Sequence, residues 1–403
     1  MPQGLELDNL ISVIVPCRNE RQHIDAFCDS ALRQQLPAGW RMEVLIADGD
    51  SDDGTREHLM QRCAADPRLV LVDNPGRIVS TGLNACIARA RGGTIARMDV
   101  HSQFAPDYLA LCILALERTR ADNVGGPWVA HGTGPTGAAI AAAFQCRWVV
   151  GGARSRDVQY EGEVDTVYLG CWPRSVFDRF GLFDETLVRN QDDEHNLRMR
   201  LGGARIWQSS RIHSTYHPRN SLRHLFAQQR QYGYWRPFVM RKHGQPGSVR
   251  QLVPAAFVAA SVGASAASPW SAWPLAALGI AYAGYLLAAS VAAARSARNG
   301  GLLPRLPGTI AAFHVGYGLG TWRGLKVCFK NFCSLQKKFL KETSLSQKTF
   351  IKDLPVVFPE SICAEIPIFL IFLIFPKSDP SAFIVSICLE GKSSYSVKRN
   401  CDD

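Results

Sequence analysis

The chain has 403 residues, 47% hydrophobic and 20% charged, with 45 Lys and Arg against 35 Asp and Glu, a net charge of +10. That is enough for one large domain with an appendage or for two domains. It is too apolar for a disordered chain and carries no collagen, coiled-coil or solenoid period. Twelve scattered cysteines without C-x-x-C pairs, in a chain too large to need disulfide staples, point to reduced thiols in a cytosolic setting. The opening MPQGLELDNL has neither a basic nor an apolar region, so no cleaved signal peptide is expected in it.

Residues 11–16 (ISVIVP) form a β-branched run closed by proline, and residues 43–47 (EVLIA) form another. Between them Ile24, Phe27, Cys28, Ala31 and Leu32 recur at helical spacing within residues 21–35. Further strands are predicted at 69–72 and 94–98, and helices at 81–90 and 106–119. This alternation predicts an α/β fold with a mostly parallel sheet and helices on both faces. Ligands of such sheets bind beyond the carboxyl ends of the strands. The polar residues there are Asn19 and Glu20, Asp48 to Thr55, and Asp99 with His101.

Charge divides the chain sharply. Residues 1–194 hold 27 acidic side chains and residues 195–340 none, while eleven Lys and Arg fall between His195 and Arg250. Residues 251–294 then carry no charge over 44 positions, broken near the middle by Ser-Pro-Trp-Ser. A single span needs about 20 apolar residues, so this stretch predicts a transmembrane helical hairpin, with a buried Ala-rich soluble pair as its competitor. Trp270 and Trp273 would sit at the far interface, and the flanking Arg and Lys place both ends on the cytoplasmic side. Residues 306–326 form a third, Gly-rich segment that crosses, re-enters or lies along the membrane surface. Before Val327 there are 33 Arg and 2 Lys; from there on, 1 Arg and 9 Lys. Residues 327–403 therefore read as an atypical tail, derived from a frameshift, read-through or fusion, or else as a genuine extra module.

Four ordered motifs, ISVIVPCRNE, VLIADGDSDDGT, GLNACIARARGGTIARMDVH and LVRNQDDEHNLRMRLGG, resemble the family 2 inverting glycosyltransferases with a GT-A fold. Within these the chain is similar to the succinoglycan-biosynthesis type of bacterial exopolysaccharide glycosyltransferase with C-terminal membrane helices. The resemblance covers roughly residues 8–326 and implies a catalytic domain over residues 8–245. It places Pro16, Asn19, Glu20, Asp48 and Asp99 around a nucleotide-sugar donor, with Asp48 reading the base. Asp53, Gly54 and Thr55 match the family's D-G-T, equally a turn and helix cap; Asp50 and Asp52 read as solvated turn residues.

RMDVH at 97–101 stands where the family has D-x-D, so Asp99 and His101 are the expected ligands of Mn²⁺ or Mg²⁺; the imidazole tilts the choice toward Mn²⁺. His101 touching phosphate directly is the alternative. NQDDEHNLR at 190–198 matches E-D-x-[DE]-x-x-L-R, which gives Asp192 the place of the base that deprotonates the acceptor hydroxyl. Asp193 is the rival base, and an acidic helix start is the purely structural alternative. Gln231 and Trp235 resemble Q-x-x-R-W, with Tyr234 at the arginine place. Gly170 and Cys171 fall where the family's acceptor loops lie.

The resulting expectation is a metal-dependent inverting hexosyltransferase of the inner (plasma) membrane with its catalytic domain in the cytoplasm. It would move sugar from a nucleotide-sugar, a UDP-hexose first, to a polyprenyl-diphosphate-linked saccharide in exopolysaccharide synthesis, beside other polysaccharide-assembly proteins. Two rivals stand beside it: a polyprenyl-phosphate sugar synthase, and a non-catalytic membrane component of an assembly complex. Nucleic acid is not an expected partner, because the basic run leads into the apolar stretch and lacks a recognition motif.

Overall fold

The computed structural model describes residues 9–346. Strands and helices first alternate as β1 (Leu10–Cys17), α1 (Ile24–Leu32), β2 (Arg41–Asp48), α2 (Thr55–Ala65), β3 (Leu69–Asp73), α3 (Val79–Arg89) and β4 (Thr94–Arg97). Next come β5 (Ser102–Phe104), α4 (Tyr108–Thr119), β6 (Asn123–Gly126), β7 (Trp128–Ala130), α5 (Gly134–Gln145), β8 (Gly162–Glu163) and β9 (Tyr168–Pro173). The strand-containing half closes with α6 (Ser175–Phe180), α7 (Gln191–Leu201), β10 (Ile206–Gln208) and β11 (Ser214–Tyr216). Four helices follow: α8 (Leu222–His243), α9 (Val253–Ala267), α10 (Trp273–Ser296) and α11 (Leu306–Ser346).

Eight strands make one sheet in the order β3-β2-β1-β4-β9-β6-β10-β8, and β5-β11-β7 make a second. Neighbours from β3 to β4 pair in parallel, while β9 enters antiparallel to both β4 and β6. The alternation of β1 explains the layering. Ile11, Val13 and Val15 face α1 and α4 in one core, and Ile14 faces α3, α6 and Met199 of α7 in the other. Because β1 has β2 on one side and β4 on the other, the chain reverses its winding between β1 and β4. A crevice opens there at the carboxyl ends.

The helical half packs by a different rule. A Cβ on Gly233 of α8 would stand 2.0 Å from the Tyr317 carbonyl oxygen of α11. In return, Cβ atoms on Gly320 and Gly324 would stand 2.1 and 2.2 Å from the carbonyls of Arg230 and Tyr234. Small residues that let two backbones touch are the mark of close helix pairing. The Gly-rich segment at 306–326 is thus part of one continuous helix laid against α8, and α11 runs without a break past residue 326. The part of the expected atypical tail beyond residue 346 lies outside the described residues.

Gly320→Leu should force the pair apart, because a carbonyl oxygen cannot step aside as a side chain can. We expect a loss of about 3 kcal/mol, seen as a melting temperature lowered by ~6–12 °C in detergent. The same change at Gly284 of α10, where a Cβ would meet nothing within 4 Å, should leave the melt unmoved.

Val249–Ala267 and Trp273–Ser296 are long and apolar enough to cross a membrane, and only 11% of each is buried. Trp270 and Trp273, at the turn between them, are 84% and 77% exposed.

Candidate active site

Past β1 the chain turns at Asn19, whose φ of 56° is left-handed, a conformation asparagine tolerates better than most residues. Its Nδ2 donates to Asp52 Oδ1 at 2.9 Å, and its Oδ1 accepts the Asp52 N–H at 3.1 Å. The Glu20 N–H donates to Thr55 Oγ1 at 2.9 Å. These bonds tie the Asn-Glu loop to the Asp-Gly-Thr loop. Asp53 accepts the Thr55 N–H at 3.0 Å at the start of α2, whose N-cap is Gly54. Asp50 pairs with Arg77, so neither Asp50 nor Asp52 is merely solvated.

Asp48 closes β2 with its side chain fully buried, accepting the Ser51 hydroxyl at 2.6 Å and meeting Arg56 at 3.2 Å. Arg56 also reaches Asp73 at 2.6 Å. Pro16 lies beside Ala47 in the β1–β2 ladder, one step before the crevice.

Across the crevice, Asp99 follows β4, and its Oδ1 accepts the His101 N–H at 3.1 Å. The His101 ring turns away from Asp99 toward Glu20, Nε2 to Oε1 2.7 Å. That hydrogen bond raises the pKa of His101 against the cost of its burial. Among the described residues the group with metal-binding spacing is Glu20, His23 and His101. Asp99 is not in it, which departs from the expected Asp99–His101 pair.

Arg97, the last residue of β4, lies between the two acids of greatest interest. It is 6% exposed, and its guanidinium stands 3.9 Å from both Asp99 and Asp192. Among the described residues its Nε and Nη1 have no hydrogen-bond partner, an arrangement that is costly unless something completes it. Asp192 is the second residue of α7, its side chain 40% exposed. Desolvation and then the Asp193 carboxylate raise its pKa, with Arg97 opposing them.

The rest of the α7 start is tied down. Asp193 pairs with buried Arg236 at 2.6 Å, and Arg236 Nε donates to the Tyr317 hydroxyl at 3.1 Å. Buried Glu194 meets His243 at 2.8 Å and Lys242 and Arg198 at 3.0 Å. Burial alone would raise Glu194, but His243 and Arg198 hold it at about 2. His195 is wholly buried against Phe177, and desolvation followed by Arg198 lowers its pKa to about 4.

Both shifts have the same sign for stability. Each group takes up a proton less readily in the fold than in the open chain. The His195 share is whole above about pH 6.5 and lost as pH falls toward 4; the Glu194 share is whole above about 4.5 and lost toward 2. Acidification from pH 7 to 4.5 should therefore lower the melting temperature through His195 first. His195→Gln should flatten that limb of the curve.

Two expected acceptor residues lie elsewhere. Gly170 and Cys171 are in the central strand β9 rather than in a loop. Gly170 has φ +97°, with the Trp172 ring 2.4 Å from where a Cβ would stand. Cys171 is fully buried in the core with Cys112, so it packs the sheet instead of lining the crevice. On α8, Gln231 is exposed, and Trp235 packs on Phe238 at 5.0 Å beside Leu187 and Leu197. The arginine that reaches the acid cluster is Arg236, one place beyond Trp235. Sequence reasoning passed over Arg97 and Arg236; a charged residue ending an otherwise apolar buried strand was the available signal for Arg97.

A sheet of this order, with acids gathered where β1 and β4 diverge, defines the GT-A type of nucleotide-sugar transferase fold. The mannosyltransferase PcManGT from Pyrobaculum calidifontis, solved with GDP-Man and Mn²⁺, superposes with a TM-score of 0.52 at 18% identity, over 81% of this chain and 90% of that one. The family model Glycosyl transferase family 2 matches residues 12–179. The succinoglycan biosynthesis protein ExoA of Rhizobium meliloti is 30% identical over 276 residues, 66% of this chain and 83% of that protein. A dolichyl N-acetyl-α-D-glucosaminyl phosphate 3-β-D-2,3-diacetamido-2,3-dideoxy-β-D-glucuronosyltransferase of Methanococcus voltae is 25% identical over 58% of this chain and 75% of its own length. The chain belongs to glycosyltransferase family 2 and is related to succinoglycan and lipid-linked sugar transferases.

Proposed function

We propose that this glycosyltransferase is an inverting, cation-dependent enzyme of the cytoplasmic membrane face, moving a hexose from a UDP-sugar to a lipid-linked saccharide. The observation that carries this reading is Arg97, 3.9 Å from both Asp99 and Asp192 and with its Nε and Nη1 unpartnered among the described residues. It joins the diphosphate side of the crevice to the acceptor side through one cation.

In this reading the catalytic domain is residues 8–245, and residues 251–294 form the membrane hairpin. Pro16, Asn19, Glu20 and Asp48 line the nucleotide side. Asp99 suits a divalent ion, because its carboxylate is part-exposed and offers hard oxygen ligands, with Arg97 3.9 Å from its Oδ2. When bound, that ion would neutralise charge on the departing diphosphate. Asp192 takes the proton from the acceptor hydroxyl as that oxygen bonds to the anomeric carbon and the bond to the diphosphate breaks. Its raised pKa makes it the stronger base for the step. Asp193, engaged by Arg236, is the poorer candidate. Gln231 and Trp235 lie on the helix facing the acceptor side. The relatives' acceptors, dolichyl phosphate sugar by name in one case, support a lipid-linked acceptor, and the charge-free hairpin brings the crevice to it.

The test is transfer by membranes carrying the full chain, with labelled UDP-sugars, GDP-mannose as a control donor, and Mn²⁺. Lipid-extractable label that disappears with EDTA is expected. Its absence with every donor would refute the reading.

A further inference from the structure

Glu20, which the proposed reading sets on the nucleotide side, stands in one cluster with His23 and His101. Glu20 is fixed by its N–H on Thr55 Oγ1 at 2.9 Å, and its carbonyl accepts the N–H groups of His23 and Ile24, both at 2.9 Å. This turn returns His23 toward the side chain of Glu20. His101 arrives from the β4 side, Nε2 already 2.7 Å from Glu20 Oε1, and the two imidazoles meet edge to face with centroids 5.2 Å apart. One ligand atom from each residue lies within 4.8 Å of those of the other two. An ion at about 2.0–2.2 Å from each sets tetrahedral ligand atoms roughly 3.4 Å apart, so the wider separations must close and the 2.7 Å Glu20–His101 contact must open. The exposed His23 ring can supply the closing movement.

We propose that this chain holds a transition-metal site of its own at Glu20, His23 and His101, distinct from the cation ligated at Asp99. Two imidazoles and one carboxylate suit a borderline ion such as Zn²⁺, whereas Mg²⁺ prefers all-oxygen surroundings. Three protein ligands leave a position open to water or to an oxygen of a bound ligand. The three residues come from the loops after β1 and β4, so a filled site would clasp the two sides of the crevice. It would also keep His101 from serving the Asp99 cation. The assignment does not depend on the transferase reading and is tested without turnover.

The probe is Zn²⁺ alone, added to the metal-stripped full-length chain in detergent and read by competition with a chromophoric chelator. One equivalent should bind without any nucleotide-sugar. His23→Ala, at an exposed position and checked by its unchanged melting temperature, should weaken binding by more than about 100-fold, beyond the 10–100-fold typical of losing an outer-shell partner. Asp99→Asn should bind Zn²⁺ as the wild type does, and Mg²⁺ should not compete. No Zn²⁺ binding, equal binding by His23→Ala, or loss of binding in Asp99→Asn would each overturn the assignment. The first would leave Glu20 and His101 a simple ion pair, and the last would move the ion to Asp99.

Discussion

Replacing Asp192 with asparagine is expected to lower sugar transfer by ~10²–10⁴-fold while donor affinity and melting temperature stay near those of the wild type. The structure separates these outcomes because Asp192 bears little weight in the fold. Its side chain is 40% exposed, its one ion-pair neighbour among the described residues is Arg97 at 3.9 Å, and its Oδ1 accepts the Asp193 N–H at 2.9 Å. An amide oxygen can keep that last bond; what it cannot do is take a proton. Turnover of labelled donor, set beside donor affinity from calorimetry, measures both quantities. Unchanged turnover with intact binding would show that the acceptor needs no base, as for a lipid phosphate whose oxygen is already anionic.

Asp193→Ala should behave in the opposite way. Its carboxylate is the charged partner of Arg236, whose side chain is 9% exposed. Burial lowers the arginine's pKa, but Tyr317 and Asp193 together more than offset this and hold it above its ordinary value. Removing the acid leaves a buried guanidinium with only the tyrosine. We expect a loss of about 2–3 kcal/mol, at or just under the low end for buried pairs because Asp193 itself is partly exposed. The double change Asp193→Ala, Arg236→Met should regain most of it, since the uncompensated charge is then gone. Thermal melts of the two variants decide this. A single variant that melts normally and binds donor but does not turn over would make Asp193 the base instead.

The parts of this molecule that were legible in its sequence were those with a local cause. The β-branched runs of β1 and β2 and the helical spacing of Ile24, Phe27 and Ala31 declare themselves within a few residues, and both cores follow from their alternation. Asp99 and Asp192 were legible through the likeness of RMDVH and NQDDEHNLR to family motifs rather than through a local element alone. The insertion of β9 between β4 and β6 was not. Nothing in YLGCWP says that it pairs antiparallel with strands more than 40 residues upstream, so Cys171 was expected in a loop. Arg97 and Arg236 were hidden because their significance is their partners, Asp192 and Asp193, and those contacts are made only by the tertiary fold. His101 turned to Glu20 for the same reason.

The glycine contact between α8 and α11 has a mechanical consequence. α8 carries Arg236, whose grip on Asp193 braces the start of α7, and the same arginine bonds Tyr317 on α11. α11 in turn presses on α9, where a Cβ on Gly318 would stand 2.4 Å from the Pro254 carbonyl. Residue to residue, the start of α7 is thus linked to the apolar hairpin through α8 and α11. With that hairpin in a bilayer, the crevice would ride at a set height above the lipid. Under the proposed function, such a fixed height would favour acceptors whose hydroxyl projects that far from the surface over longer or shorter ones.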